Sequence, residues 1–239
     1  MRIAIVSDIH GNRTAFEAVL ADLRETSPDL ILHGGDLADS GASPVEIVDQ
    51  IRDLGWPGVA GNTDELLFNP KSLTDFANQS PMMQPLVPII EEMAAATRDA
   101  LGAGRIAWLA AQPRRQILAS MALVHASPDS AWRGPQHTAS DTDLESVFSS
   151  LGRSIAVYGH IHRPYIRRVA QLTVINTGSV SLSYDGDRRA SYLLLDDSEP
   201  GIRRVEYDLD RELENLSASR FPHADWIAKI LQSAGPQMP

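Results

Sequence analysis

Asp8 and His10 stand two residues apart at the end of the apolar run Arg2-Ile3-Ala4-Ile5-Val6-Ser7. In extended backbone, residues two apart point to the same side. The arrangement recurs along the chain. Asp36 follows Gly34-Gly35, Asn62 follows Gly61, His125 closes the run Ala122-Leu123-Val124, and His160-Ile161-His162 follows Gly159. Together these are two carboxylates, four imidazoles and one amide oxygen. Such a mixed nitrogen and oxygen set suits Mn, Fe, Co, Ni or Zn better than calcium or magnesium, which prefer oxygen alone. Seven candidate ligands exceed the four of a structural zinc site. They suffice for two ions sharing a carboxylate, and a pair of ions about 3.5–4 Å apart clamps a phosphoryl group and activates water for in-line attack.

The elements that must position these groups follow from the hydrophobic pattern. Residues 2–7 read as a buried strand. Arg13 to Thr26 carries Ala15, Phe16, Val19, Leu20 and Leu23 at helical spacing, with Asn12 as its cap. Asp29 to His33 is a second strand. Ser43 to Leu54 is a helix capped by Ser43, with Pro44 at its first position. Pro57 to Ala60 is expected to be a short third strand. This alternation of strand, polar tip and helix is the sign of βαβ units, and ligands of parallel sheets sit outside the carboxyl ends of the strands. From Glu65 to Arg115 the rhythm breaks into a proline-interrupted helical stretch, helical from about Ile89 to Leu101 and again over Arg105 to Ala111. It reads as an insertion flanking the mouth of the site. Strands are then expected over Gln116–Val124, Ser154–Tyr158 and Leu172–Ile175, with a hairpin over Ala190–Asp196 and Ile202–Tyr207. Helical segments close the chain from about 209 to 232.

At 239 residues with 43% hydrophobic and 22% charged residues, the chain can bury a real core. No apolar run approaches the roughly 20 residues that span a bilayer. Met1-Arg2 leads straight into a strand with no signal-peptide pattern, and there is no cysteine for disulfides or thiolate zinc sites. A cytoplasmic protein without a membrane partner is expected. The net charge of −10 argues against a stable nucleic-acid complex. The oligomeric state is left open.

Asp8-x-His10, Gly35-Asp36, Gly61-Asn62-x-Asp64, the strand-end His125 and Gly159-His160-x-His162, in that order, resemble the calcineurin-like metallophosphoesterase superfamily. The small bacterial and archaeal phosphodiesterases are the most similar branch. The resemblance spans the strand framework from Asp8 to His162, and the turn Asn176-Thr177-Gly178-Ser179 resembles a further family element. It implies a single α/β domain over residues 1–239, a four-layer α-β-β-α sandwich of two mixed β-sheets flanked by helices. The pattern alone supports α/β with an early parallel portion. The resemblance also implies two divalent transition-metal ions (Mn, Fe, Ni, Co or Zn). Asp8, His10 and His162 would hold the first, and Asn62, His125 and His160 the second. Asp36 would bridge them beside a hydroxide that attacks phosphorus directly. Asp36, Asn62, Asp64 and His125 are thus expected to take part in catalysis on a small phosphate-ester substrate.

One departure stands out. Many relatives carry histidine after the asparagine of the third motif, where it is held to protonate the leaving group. Thr63 occupies that place, and threonine is no general acid near neutral pH. Asp64 is the remaining candidate donor if its pKa is raised. For substrate contacts, Asn12, Arg163, Asn176 and Ser179 are candidates, each with a plainer reading as cap, solvated arginine or turn former. The expected function is a dinuclear phosphoesterase acting on phosphodiesters. The alternatives are a catalytically silent metal- or phosphate-binding module and a metal-dependent protein phosphatase.

Overall fold

Ile3 to Val6 are buried because the first strand lies inside a sheet. The computed structural model describes residues 1–197 and 199–239. β1 (Arg2–Val6) pairs in parallel with β2 (Leu30–His33) across the crossover helix α1 (Arg13–Thr26). Helix α2 (Pro44–Leu54) follows. The expected third strand shrinks to one parallel bridge between His33 and Gly58. Pro57 offers no N–H, and the chain turns at Gly61 into α3 (Asn62–Phe68). Helices α4 (Lys71–Ala77) and α5 (Val87–Ala110) come next. Gly102, at φ 68° and ψ 168°, breaks α5 where the sequence pattern separates two helical pieces.

The second half of the chain builds the other sheet. The run read as one strand over 116–124 is a hairpin of β3 (Arg115–Ile117) and β4 (Met121–Val124). After α6 (Asp141–Phe148) come β5 (Ile155–Tyr158), β6 (Tyr165–Val169) and β7 (Leu172–Asn176). The edge strand β6 is not announced by hydrophobic pattern, since it carries Arg167 and Arg168 on half-exposed backbone. β8 (Ala190–Asp196) and β9 (Glu199–Val205) return to the first sheet, and α7 (Leu209–Ser219) and α8 (Ala224–Ser233) close the chain.

Among the described residues there are two mixed sheets, ordered β2-β1-β8-β9 and β3-β4-β5-β7-β6. Ile3, Ile5, Leu32, Leu193 and Leu195 from the first sheet meet Met121, Leu123, Ile155, Val157 and Ile175 from the second. The alternate residues Ala4 and Val6 face outward onto Phe16 and Val19 of α1 and Ile47 of α2. Ala122, Val124, Ala156 and Tyr158 face outward onto Leu144 and Phe148 of α6. The period-2 alternation of each strand therefore feeds two apolar layers and makes the four-layer α-β-β-α sandwich. Leu66, Leu67, Ala94 and Leu109 add α3 and α5 to the α1–α2 layer. Ile227, Ile230 and Leu231 of α8 pack with Leu216 of α7, Met93 of α5 and Leu182.

Candidate metal centre

The tips of β1, β2, β4 and β5 converge at one edge of the two sheets. β1 and β2 end together because they are parallel neighbours, and so do β4 and β5. Past these ends the backbone takes an uncommon form. Asp8, His10, Asp36, His160 and His162 all have positive φ, between 48° and 67°. This left-handed region is costly for residues with a side chain and clusters at functional sites. Here it turns successive side chains inward instead of letting the strands run on. Two close approaches also require glycine. A Cβ on Gly61 would lie 2.0 Å from Asp36 Oδ1, and one on Gly159 would lie 2.3 Å from Asp8 Oδ2.

The inward groups form two linked sets. Asp8, His10, Asp36 and His162 each offer a ligand atom within 4.8 Å of the others, and all four are buried. His162 Nε2 lies 3.1 Å from Asp8 Oδ1 and 3.3 Å from His10 Nε2. The second set gathers on Asn62, whose Oδ1 lies 2.9 Å from His125 Nε2 and 2.8 Å from His160 Nδ1. Asp36 Oδ2 stands between the sets, 3.7 Å from His10 Nε2 and 3.5 Å from His125 Nε2.

Backbone carbonyls orient the rings. His10 Nδ1 donates to Asp39 O at 3.0 Å, His125 Nδ1 to Gly34 O at 2.8 Å, and His162 Nδ1 to Leu182 O at 2.6 Å. That assignment puts the Nε2 lone pairs of His10 and His162 face to face beside a carboxylate oxygen. Two acceptors and an anion at this spacing repel one another unless a cation lies among them. The residues present therefore fit divalent metal, and their Nδ1 partners are the kind that hold ligating histidines in register.

Charge in the centre points the same way. Burial alone would raise Asp36, but the imidazoles of His125, His10 and His160 outweigh it and hold the carboxyl far below the usual range. Burial likewise opposes ionisation of Asp8, and His162 reverses the balance and lowers it. His125 shows the reciprocal effect. Burial disfavours its charge, yet the Asp36 carboxylate pushes it up to about 10. Burial lowers His10, and burial with the neighbouring His125 lowers His160 to about 4.

The other sequence-derived candidates are placed differently. Asp64 is fully buried beneath Asp36, not on an open surface. Its Oδ2 accepts from the N–H groups of Asp36 at 2.7 Å and Gly61 at 3.0 Å, and its Oδ1 from Leu37 at 3.0 Å. Burial and the nearby Asp36 raise it to about 6. Its oxygens hold the turn that presents Asp36. Asn12 caps α1 through Ala15 N and donates to Ser181 Oγ. Asn176 bridges Gly159 O and Gly178 N. Ser179 donates to Asp8 O at 2.8 Å. These three side chains are spent on holding backbone. Together with Arg163 they lie off the wall of the cavity that adjoins the centre, a space of about 310 Å³ lined by His10, Asp36, Asn62, Thr63, His160 and His162 on one side.

Sequence reasoning passes over two contributors. Ser7 Oγ donates to Asp8 Oδ2 at 2.5 Å. Asp39 supplies the carbonyl that orients His10, and its own carboxyl accepts from Thr97 of α5 at 2.6 Å. Carbonyl acceptors leave no trace in residue type, so only folding brings them to light.

A family model described as the calcineurin-like phosphoesterase superfamily domain matches residues 1–199. The solved structure of a metallophosphoesterase from Sphaerobacter thermophilus aligns with a TM-score of 0.79 at 25% identity, covering 98% of this chain and 99% of that one. An uncharacterised protein of Methanocaldococcus jannaschii is 27% identical over 241 residues, 96% of either chain. A probable cyclic nucleotide phosphodiesterase of Synechococcus is 40% identical over 70 residues, 28% of this chain and 26% of that protein. With a buried aspartate–histidine group at the strand ends and the family model spanning residues 1–199, the chain belongs to the calcineurin-like phosphoesterase superfamily and is a metal-dependent phosphoester hydrolase.

Proposed function

We propose that the protein is a dinuclear phosphodiesterase. The reading rests on Asp36 Oδ2, which lies 3.7 Å and 3.5 Å from the Nε2 atoms of His10 and His125 and so faces both donor sets at once. Asp8, His10 and His162 would hold one divalent transition ion, and Asn62, His125 and His160 the other, with Asp36 shared. Such a pair supplies positive charge to the phosphate oxygens and a water acidic enough to attack phosphorus at neutral pH. The chain's own part is to hold seven ligands with their lone pairs converging, through Asp39 O, Gly34 O and Leu182 O, and to keep Asp36 ionised. Thr63 N donates to Asp36 Oδ1 at 2.9 Å and fixes that carboxylate's rotation. The short match to a probable cyclic nucleotide phosphodiesterase supports diesters over protein phosphates. In domain terms the chain reads as one unit, with residues 65–115 as an insertion and 209–232 as a helical tail.

The test is a metal screen crossed with aryl and alkyl phosphodiesters, monoesters and phosphopeptides, with metal content measured in parallel. About two ions per chain and preferred diester turnover are expected. Asp36→Asn should lower kcat by about 10²-fold or more and reduce the bound metal. Full activity in that variant overturns the shared-ligand assignment. Because neither Thr63 nor the engaged Asp64 serves as a ready proton donor, p-nitrophenyl diesters should be cleaved at least about 10²-fold faster than alkyl diesters. Equal rates would show that a proton donor is present after all.

A further inference from the structure

The cavity beside the metal centre changes character across its 310 Å³. One side is the centre itself. The rest is mostly apolar wall drawn from separate parts of the chain: Leu66 of α3, Met93 of α5, Trp132 from the segment after β4, Leu182, and Trp226 and Ile230 of α8. No lysine or arginine is among the lining residues. The polar members of this wall are Asp39, Ser40 and Tyr184. The Asp39 carboxyl is already engaged, accepting from Thr97 Oγ1 at 2.6 Å and from Ser40 Oγ at 3.2 Å.

A wall of this chemistry discriminates among phosphate esters. A second or third phosphate would enter without a cation to pair it, at the cost of an unpaired charge in an apolar site. A sugar would bring several hydroxyls to a wall whose polar members are only Asp39, Ser40 and Tyr184. An apolar ring or branched alkyl group would release water from both surfaces and leave only one or two ester oxygens to satisfy. The volume is near the lower end of the roughly 300–1,000 Å³ of small-ligand sites, enough for one ring system.

Building on the phosphodiesterase reading, we infer that the substrate carries a single phosphodiester, one of whose two ester groups is bulky and apolar, aromatic or branched, and lies against Leu66, Met93, Trp226 and Ile230 while the phosphate meets the centre. The helices packed around the centre thus set specificity.

Binding of phosphonates to the metal-loaded protein tests this without requiring turnover. By calorimetry, 1-naphthylphosphonate should bind at least about tenfold more tightly than methylphosphonate, and the phosphonate analogue of adenosine monophosphate should not exceed methylphosphonate by that margin. Trp226→Ala should narrow the naphthyl-to-methyl ratio to about threefold or less. The ratio is read within one preparation, so partial misfolding cancels. The same ranking is expected for inhibition of bis-p-nitrophenyl phosphate hydrolysis. Equal affinities, no binding of either simple phosphonate, or a preference for the nucleoside analogue overturns the inference. Turnover with a flat ranking sinks it while sparing the phosphodiesterase reading. A steep ranking without any turnover does the reverse.

Discussion

Gly159 illustrates how narrowly the centre is built. Its missing side chain leaves room for Asp8 Oδ2 and Ser7 Oγ, each within 2.4 Å of where a Cβ would stand. Neither atom can swing clear without giving up its partner, since Ser7 Oγ binds Asp8 Oδ2 and His160 N binds Asp8 Oδ1. Gly159→Ala should therefore destabilise the protein by about 1–3 kcal/mol and weaken metal binding. Paired urea unfolding and metal titration would read both effects, and unchanged metal affinity would show that Asp8 has another rotamer available. The positive φ of Asp8, His10, Asp36, His160 and His162 belongs to the same scale. Each costs about 1–3 kcal/mol and persists because the packed strands beneath leave the chain no other path.

Among the elements, β2 carries a liability of its own. His33 is fully buried at the end of that strand, against Gly58 and Trp108, and neither ring nitrogen has a hydrogen-bond partner. Burial lowers it to about 4, against 6.5 for a free imidazole. The unfolded chain then takes up a proton as pH falls through 6.5, while the folded chain stays neutral until about 4. Stability from this group is complete above about 6.5 and is lost progressively down to about 4, a change of about 3 kcal/mol. His33→Leu should lack that part of the acid sensitivity and be no less stable at pH 7.5, because it also removes two unpaired polar atoms. Denaturant midpoints at pH 7.5 and 4.5 decide the matter, and an identical pH dependence in the variant would refute it. The turn into α3 rests on Asp64 in a comparable way. Asp64→Asn would replace one accepting oxygen with a donor facing backbone N–H groups, and should cost about 1–3 kcal/mol together with much of the activity.

At the scale of the molecule, the two sheets meet through one apolar layer while their strand ends jointly frame the centre. Asp8 and Asp36 come from the first sheet and His125, His160 and His162 from the second, so a bound ion ties the two together. Saturating the centre with a tight-binding divalent ion should raise the melting temperature by about 5 °C or more over chelator-treated protein. No shift in a calorimetric scan would mean that the ion does not bind the folded protein in preference to the unfolded chain. The terminal helix also packs into the body of the molecule. Ile230 is buried among Met93, Leu182 and Leu216, and Ile230→Ala should cost about 2–5 kcal/mol.

Much of this molecule is legible in one dimension. The seven candidate donor types and the βαβ rhythm of the first half are local properties, because side-chain period and donor chemistry act over a few residues. Even the break in α5 is marked by Gly102. Tertiary structure decides what depends on residues far apart in sequence. It reduces the expected strand at 57–60 to a single bridge and adds β6 as an edge strand, since pairing depends on neighbours and not on the strand alone. It turns Asn12, Asn176 and Ser179 inward to hold backbone and fastens Asp64 beneath Asp36, because buried N–H and C=O groups take whatever partner is near. It also joins α3, α5 and α8 into one apolar wall beside the centre, a surface assembled from segments more than a hundred residues apart. The candidate donors are written in the residue types. The shape of the space in front of the ligands arises only when distant helices pack together.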